Sequence, residues 1–191
     1  MQKFILIRGH QGSGKSTFAE QKAAEFARQY PDAEIIRIEN DLLLTDENGV
    51  YRWSGAAVDK AQKQGNAMMR NALIAGQANP ARPILIINSN TNQKVSRCRH
   101  LLDWAAKHGF HTETYRLHNF FPNQHGVKER DVLAAYVKLN QNPLPGEIHI
   151  EAVQPASAAQ LAQIEQMQAI EQHALPFDEA QQTFVTENYL Q

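Results

Sequence analysis

The chain has 191 residues and a mass of 21.5 kDa, 42% hydrophobic and 20% charged, which suits one ordinary domain with a real core and excludes a disordered chain. Nineteen basic against 20 acidic side chains exclude a wholly basic nucleic-acid coater, and the single Cys98 excludes an internal disulfide framework and fits a reducing compartment. The apolar run Phe4–Ile7 is too short for a signal peptide and no stretch nears the ~20 apolar residues of a membrane span, so a cytoplasmic protein without membrane contact is expected.

Residues 2–8 are mostly apolar, as in a strand buried on both faces. Gly9 to Gly14 supply a turn, and from Lys15 a helical pattern runs through Phe18, Ala19, Ala23 and Phe26 to a stop before Pro31. Residues 34–38 read as a second strand, 40–55 as a polar loop carrying Tyr51 and Trp53, and 56–77 as a helix stopped at Gly76. Residues 83–87 are the most strand-prone run; a helix follows over 94–108, then a strand over 110–117. Helix 128–140, strand 147–153 and an amphipathic helix over 156–173 complete the pattern. The last of these carries Leu161, Ile164, Met167 and Ile170 at helical spacing and docks either on the domain or on a partner. Strand–helix alternation at this spacing predicts an α/β fold of three layers with a mostly parallel central sheet and a C-terminal helical extension. The expected division is a domain over 1–153 and an acidic, Gln/Ala-rich tail over 154–191. Residues 82–130 hold eight basic and three acidic side chains, whereas 147–191 hold seven acidic and no basic ones. The cationic middle could face an anionic substrate while the tail discourages stray polyanions; both could equally be solvated faces.

The strongest motif is Gly9-His10-Gln11-Gly12-Ser13-Gly14-Lys15-Ser16, which fits G-x-x-x-x-G-K-[ST] between an apolar strand and an amphipathic helix. Glycines at 9, 12 and 14 let the backbone N–H groups of the loop, Gln11 and Ser13 included, turn inward as a nest for anionic oxygens. The following helix adds free N–H groups and its positive dipole end. Lys15 brings a full charge to the outer phosphates, the Ser16 hydroxyl can ligate Mg²⁺, and Thr17 lies within reach of a phosphate. A nucleoside triphosphate is thus the expected ligand. The strand over 83–87 runs into Asn88-Ser89-Asn90-Thr91-Asn92 with no carboxylate for the metal, and no N-K-x-D guanine signature occurs. A short second strand followed by Asp41 points instead to a small kinase. There Asp41 could accept the proton of an attacking hydroxyl or help hold the metal, with Glu39 in reserve; a loop-capping role is the plain alternative.

Four blocks now resemble the polynucleotide-kinase-like branch of P-loop kinases, the group that also holds the zeta toxins, over roughly residues 3–140. They are the phosphate loop; Glu39-Asn40-Asp41 with Gly49-Val50-Tyr51-Arg52-Trp53; Ser89-Asn90-Thr91-Asn92 with Trp104 and Gly109-Phe110 downstream; and Asn123-Gln124-His125-Gly126-Val127, similar to the family's lid segment. The resemblance implies ATP and Mg²⁺ as cofactors, Lys15 as phosphate ligand, Ser16 as metal ligand, Asp41 as general base, and a nucleic-acid 5′ end as acceptor. Three departures stand out. Ser89 replaces the family's Asp, Leu42–Leu44 replace a D-x-x-R arginine, and Pro122 and Lys128 replace an arginine and a proline of the lid. The leucines make a small-metabolite acceptor, as in a small-molecule or toxin-type kinase, the main alternative. The altered lid leaves Lys128, Arg130 or Arg116 to supply a transition-state cation; without one, the chain would be a catalytically weak nucleotide-binding regulator. Lys94, Arg97, Arg99 and His100 could track a phosphate backbone or form an exposed helix face, and Tyr51 and Trp53 could stack on a base or pack a hairpin. The histidines over 100–125 show no metal-ligand spacing, although the position of His125 in the lid could bring it near a nucleotide.

Overall fold

Among the described residues five strands, all parallel, form one sheet in the order β2-β3-β1-β4-β5. The computed structural model describes residues 1–45, 54–122 and 126–173. In chain order the elements are β1 (Gln2–Arg8), α1 (Lys15–Gln29), β2 (Glu34–Ile38), α2 (Asn40–Leu43), α3 (Gly55–Ala78), β3 (Ile84–Asn88), α4 (Val95–Lys107), β4 (His111–Leu117), α5 (Glu129–Gln141), β5 (Ile148–Ile150) and α6 (Ala158–His173).

The central strands are apolar because both their faces are covered. Phe4, Leu6, Ile84 and Ile86 point into a core shared with Met69 and Leu73 of α3 and Leu101 and Ala105 of α4. Their alternates Ile5, Ile7, Leu85 and Ile87 face Ala19 and Phe26 of α1. The two-residue period of a strand sends successive side chains to opposite layers, so a sequence with no polar alternation specifies a sandwiched sheet. Helix α3 starts at Ser54, whose hydroxyl accepts a hydrogen bond from the Ala57 amide at 3.1 Å, a standard N-terminal cap. A third cluster joins Val132, Leu133 and Val137 of α5 to Phe120 and to Ile164 and Met167 of α6. Leu161 and Ile170 of α6 remain exposed.

The α/β architecture expected from the sequence is the one observed, with local differences. Helix α2 stands inside the segment expected as loop; at four residues it is too short for apolar periodicity to register. The expected strand over 147–153 shortens to three residues because, among the described residues, β5 pairs only with β4 and forms a sheet edge. Tyr51, Trp53 and the lid residues Asn123, Gln124 and His125 lie outside the described residues.

Polar side chains of β4 are buried: Thr114 is 7% exposed and Arg116 1%. Two arginines, Arg8 and Arg116, stand opposite each other in the β1–β4 register. Arg8 pairs with Glu147, donates from Nε to the Asn92 carbonyl at 2.8 Å, and donates from a terminal nitrogen to the Asn142 carbonyl at 2.9 Å. Arg116 donates to the Leu117 carbonyl at 2.6 Å and to Asn140 Oδ1 at 3.0 Å, with its guanidinium 5.3 Å from the centroid of the Tyr136 ring. Buried charge is tolerated here because each guanidinium meets several acceptors.

Candidate functional site

Parallel strands all end on one side, and the loops leaving them form a cavity of about 1320 Å³. At its floor lies the 9–14 turn. Gly12 and Gly14 adopt φ of +76° and +85°, a left-handed backbone that strains any residue with a Cβ, so the two glycines are what lets the chain curl there. The turn is braced from both sides. The Ser13 amide donates to the His10 carbonyl at 3.3 Å and the Gly9 amide to the Thr91 carbonyl at 3.4 Å, while the Gly12 carbonyl accepts from the Phe121 amide at 2.9 Å. Asn119 ties the turn to the exit of β5: its amide nitrogen reaches the Ser13 carbonyl at 3.4 Å, and its oxygen accepts from the amides of Val153 and Gln154.

Beneath the turn His10 is fully buried, its ring 4.2 Å from that of Phe120 and 5.2 Å from that of Tyr136. Burial, followed by the positive charges of Lys15 and Arg116, lowers its pKa to about 3, so the imidazole is neutral. Lys15 opens α1. Its pKa is lowered to about 8: burial pulls it down, the carboxylates of Glu39 and Asp41 partly offset that, and Arg116 opposes them. Its ammonium donates to the His10 carbonyl at 2.7 Å, so the charge rests on the loop's own backbone.

Gln11, Gly12, Gly14, Lys15, Ser16 and Thr17 line the cavity together with Asp41. Gly9 and Ser13 do not line it; they lie behind the turn, where a Cβ on Gly9 would stand 2.2 Å from Ser13 Oγ. Lys128 lines the wall as the residue preceding α5, whereas Arg130 is exposed and lies off the cavity. Arg116 is committed to its bonds beneath Tyr136 and does not reach the cavity. Lys94 caps the start of α4 and Arg97, Arg99 and His100 fall on its first half, all off the cavity wall.

Three positions carry more than the sequence shows. Glu39, 6% exposed, receives the Ser16 hydroxyl on one carboxylate oxygen and the Ser89 hydroxyl on the other at 3.0 Å, with Arg37 3.4 Å away. Asn90 Oδ1 accepts from the Asn40 amide at 2.8 Å and so fixes the segment that presents Asp41. Asn92, at φ +50°, donates to the Ile7 carbonyl at 2.8 Å and joins the ends of β1 and β3. The Asn-rich 88–92 segment is the signal for the last two, since amide side chains satisfy loop backbone where strands end. Glu39 needed the strand register, discussed below.

The Ser16 hydroxyl meets the Glu39 carboxylate, and such hard oxygens suit Mg²⁺ arriving on phosphates. Among the described residues no group of three or more His, Cys, Asp or Glu is placed to hold a metal by itself, and no helix is long and apolar enough to cross a membrane.

The strand order, the strand–glycine turn–helix unit and the cavity at the strand ends define a P-loop NTPase fold. The chain belongs to the same family as the uncharacterized protein PM0531 of Pasteurella multocida, with 38% identity over 169 residues covering 88% of this chain and 94% of the relative. No family model matches the sequence. Similar solved structures include the Mycobacterium tuberculosis APS kinase CysC Cys556Ala mutant, at 14% identity and a TM-score of 0.46, covering 89% of this chain and 97% of that one. Chaetomium thermophilum Kti12 in complex with ADP-AlF3 gives 14% and 0.41, covering 85% and 78%. The PezAT chromosomal toxin-antitoxin system of Streptococcus pneumoniae gives 16% and 0.43, covering 72% and 51%.

Proposed function

We propose that this protein is an ATP- and Mg²⁺-dependent kinase that transfers the γ-phosphoryl group to a hydroxyl acceptor. The observation that carries the reading is that Lys15 and Asp41, contributed by different strand–helix units, line one cavity and are electrostatically coupled within it. The turn's amides and Lys15 take the triphosphate, moving the ammonium off the His10 carbonyl. Ser16 holds the metal, which would offset charge on the phosphate oxygens. Asp41 accepts the proton of the attacking hydroxyl, and Lys128 stands on the wall nearest to supply a cation as charge develops. Arg130 would have to be carried in by movement of α5's first turn. Most of the rate then comes from positioning and charge stabilisation, since the protein itself forms no bond to phosphorus.

The acceptor side favours a small hydroxyl compound over a polynucleotide 5′ end. Leu44 and Val58 line it, and Leu42, Leu43 and Leu44 stand directly after Asp41, where an arginine would grip a phosphate next to the reacting hydroxyl. Incubation with γ-labelled ATP beside a 5′-hydroxyl oligonucleotide and a panel of sugars and nucleosides separates the two. Label entering a small acceptor supports this reading, and label entering only the oligonucleotide restores the polynucleotide version. Asp41→Asn should abolish transfer and leave ATP affinity nearly unchanged; full turnover would remove Asp41 from the mechanism. Slow ATP loss unaffected by any acceptor would point to a nucleotide-binding regulator instead.

A further inference from the structure

Strand β3 ends without the carboxylate that a phosphate-loop enzyme uses to steady its metal, because Ser89 stands there. The structure supplies one from the neighbouring strand. In the β2–β3 register Ile38 pairs with Asn88, so Glu39 and Ser89 leave the sheet side by side, and the Ser89 amide donates to the Ile38 carbonyl at 3.0 Å. The Glu39 carboxylate therefore lies between the Ser89 hydroxyl and the Ser16 hydroxyl at the start of α1. All three side chains line the cavity. Arg37, itself paired with Glu20 at 3.2 Å, partly neutralises Glu39 from behind.

We propose that Glu39 is the carboxylate that holds Mg²⁺, directly or through its water, beside Ser16. The acid has moved from the third strand to the second, and Ser89 now orients it. The inference rests on the nucleotide-binding reading above and divides the Glu39-x-Asp41 pair into a metal-holding and a proton-accepting carboxylate. Charge and geometry both argue for it. Mg²⁺ keeps several waters and takes one or two carboxylates besides the substrate phosphates. The carboxylates lining the cavity among the described residues are Glu39, Asp41 and Asp131, and Glu39 receives the hydroxyl of Ser16. A carboxylate this deeply buried is costly to hold. Two hydroxyls and a mostly buried arginine lower that cost, and an arriving divalent cation would lower it further.

The test reads metal binding, not turnover. Mn²⁺ affinity is measured by electron paramagnetic resonance on the full chain with a non-hydrolysable ATP analogue, and affinity for the same analogue is measured in EDTA. Glu39→Gln keeps the shape and should weaken Mn²⁺ about 10–100-fold, the usual loss when a group supporting a metal is removed. Metal-free nucleotide affinity should stay within about twofold of wild type, a conservative bound for a neutral isostere. The double change Glu39→Gln with Ser89→Asp returns a carboxylate to the neighbouring strand and should recover most of the Mn²⁺ affinity. Unchanged Mn²⁺ affinity in Glu39→Gln overturns the proposal. So does an equal loss of metal-free nucleotide affinity, which would make Glu39 a brace of the turn. Absence of nucleotide binding by the wild-type chain in EDTA and in Mn²⁺ alike would instead defeat the parent reading, and this inference with it.

Discussion

Gly12→Ala puts the phosphate turn and the segment after β4 in direct conflict. A Cβ at Gly12 would stand 2.5 Å from the Phe121 carbonyl oxygen, a backbone atom that no rotamer change can move aside. The new residue would also sit at φ +76°, which costs an L-residue about 1–2 kcal/mol. Displacing Phe121 breaks its amide's 2.9 Å bond to the Gly12 carbonyl, worth about 1 kcal/mol. Together the loss should be about 2–4 kcal/mol. Gly109→Ala is the internal control: its φ is +84°, yet no atom lies within 4 Å of the added Cβ. It carries the same backbone strain, and the same small gain from stiffening the unfolded chain, without the collision. Urea unfolding at equal m-value should place Gly12→Ala about 1–2 kcal/mol below Gly109→Ala, the hydrogen bond plus the remaining misfit. Equal midpoints would mean that Phe121 yields freely and does not brace the turn.

Two further expectations follow from titration. Lys15 has its pKa lowered to about 8, and a bound phosphate would raise it; above pH 8 binding must then take up a proton, so ADP affinity should fall by up to about tenfold per pH unit. Calorimetry between pH 7.5 and 9.5 checks this, and a flat profile in wild type, matching Lys15→Met, would contradict it. His10 and His118 are held neutral, near pKa values of about 3 and about 4, while in the unfolded chain each returns to 6.5. The unfolded state therefore binds more protons below pH 6.5, and stability is lost as pH falls. Fully buried His10 should contribute a slope approaching about 1.4 kcal/mol per pH unit and part-exposed His118 less. Urea midpoints at pH 7, 6 and 5 should show the decline, reduced in His10→Phe; a His10 ring that titrates near pH 6.5 by NMR would refute it.

What the sequence made legible was what is local. The phosphate turn could be read because glycine spacing, the preceding strand and the following helix are contiguous; Gln11, Gly12, Gly14, Lys15, Ser16 and Thr17 line the cavity, while Gly9 and Ser13 do not. Asp41 could be placed because strand ends in a parallel sheet share a crevice. Glu39 was weighed only as a reserve for Asp41: its partners Ser16 and Ser89 lie 23 and 50 residues away, and only the β2–β3 register brings them together. Arg116 had the credentials of a catalytic cation in sequence, but β4 lies inside the sheet, so its polar face turns to Asn140 and Tyr136 and not to the cavity. The bracing of the turn by Asn119 and Phe121 depends on where β4 ends relative to β1, which periodicity does not encode.

The account stands or falls on whether the turn between β1 and α1 takes up a triphosphate with Lys15 against it. Titration calorimetry of Mg·ATP into wild type and Lys15→Ala measures this directly. Saturable one-to-one binding is expected in wild type, weakened about 10–100-fold in the variant, as for loss of a hydrogen bond to a charged group. No heat from wild type, or equal affinity in the two, would contradict it.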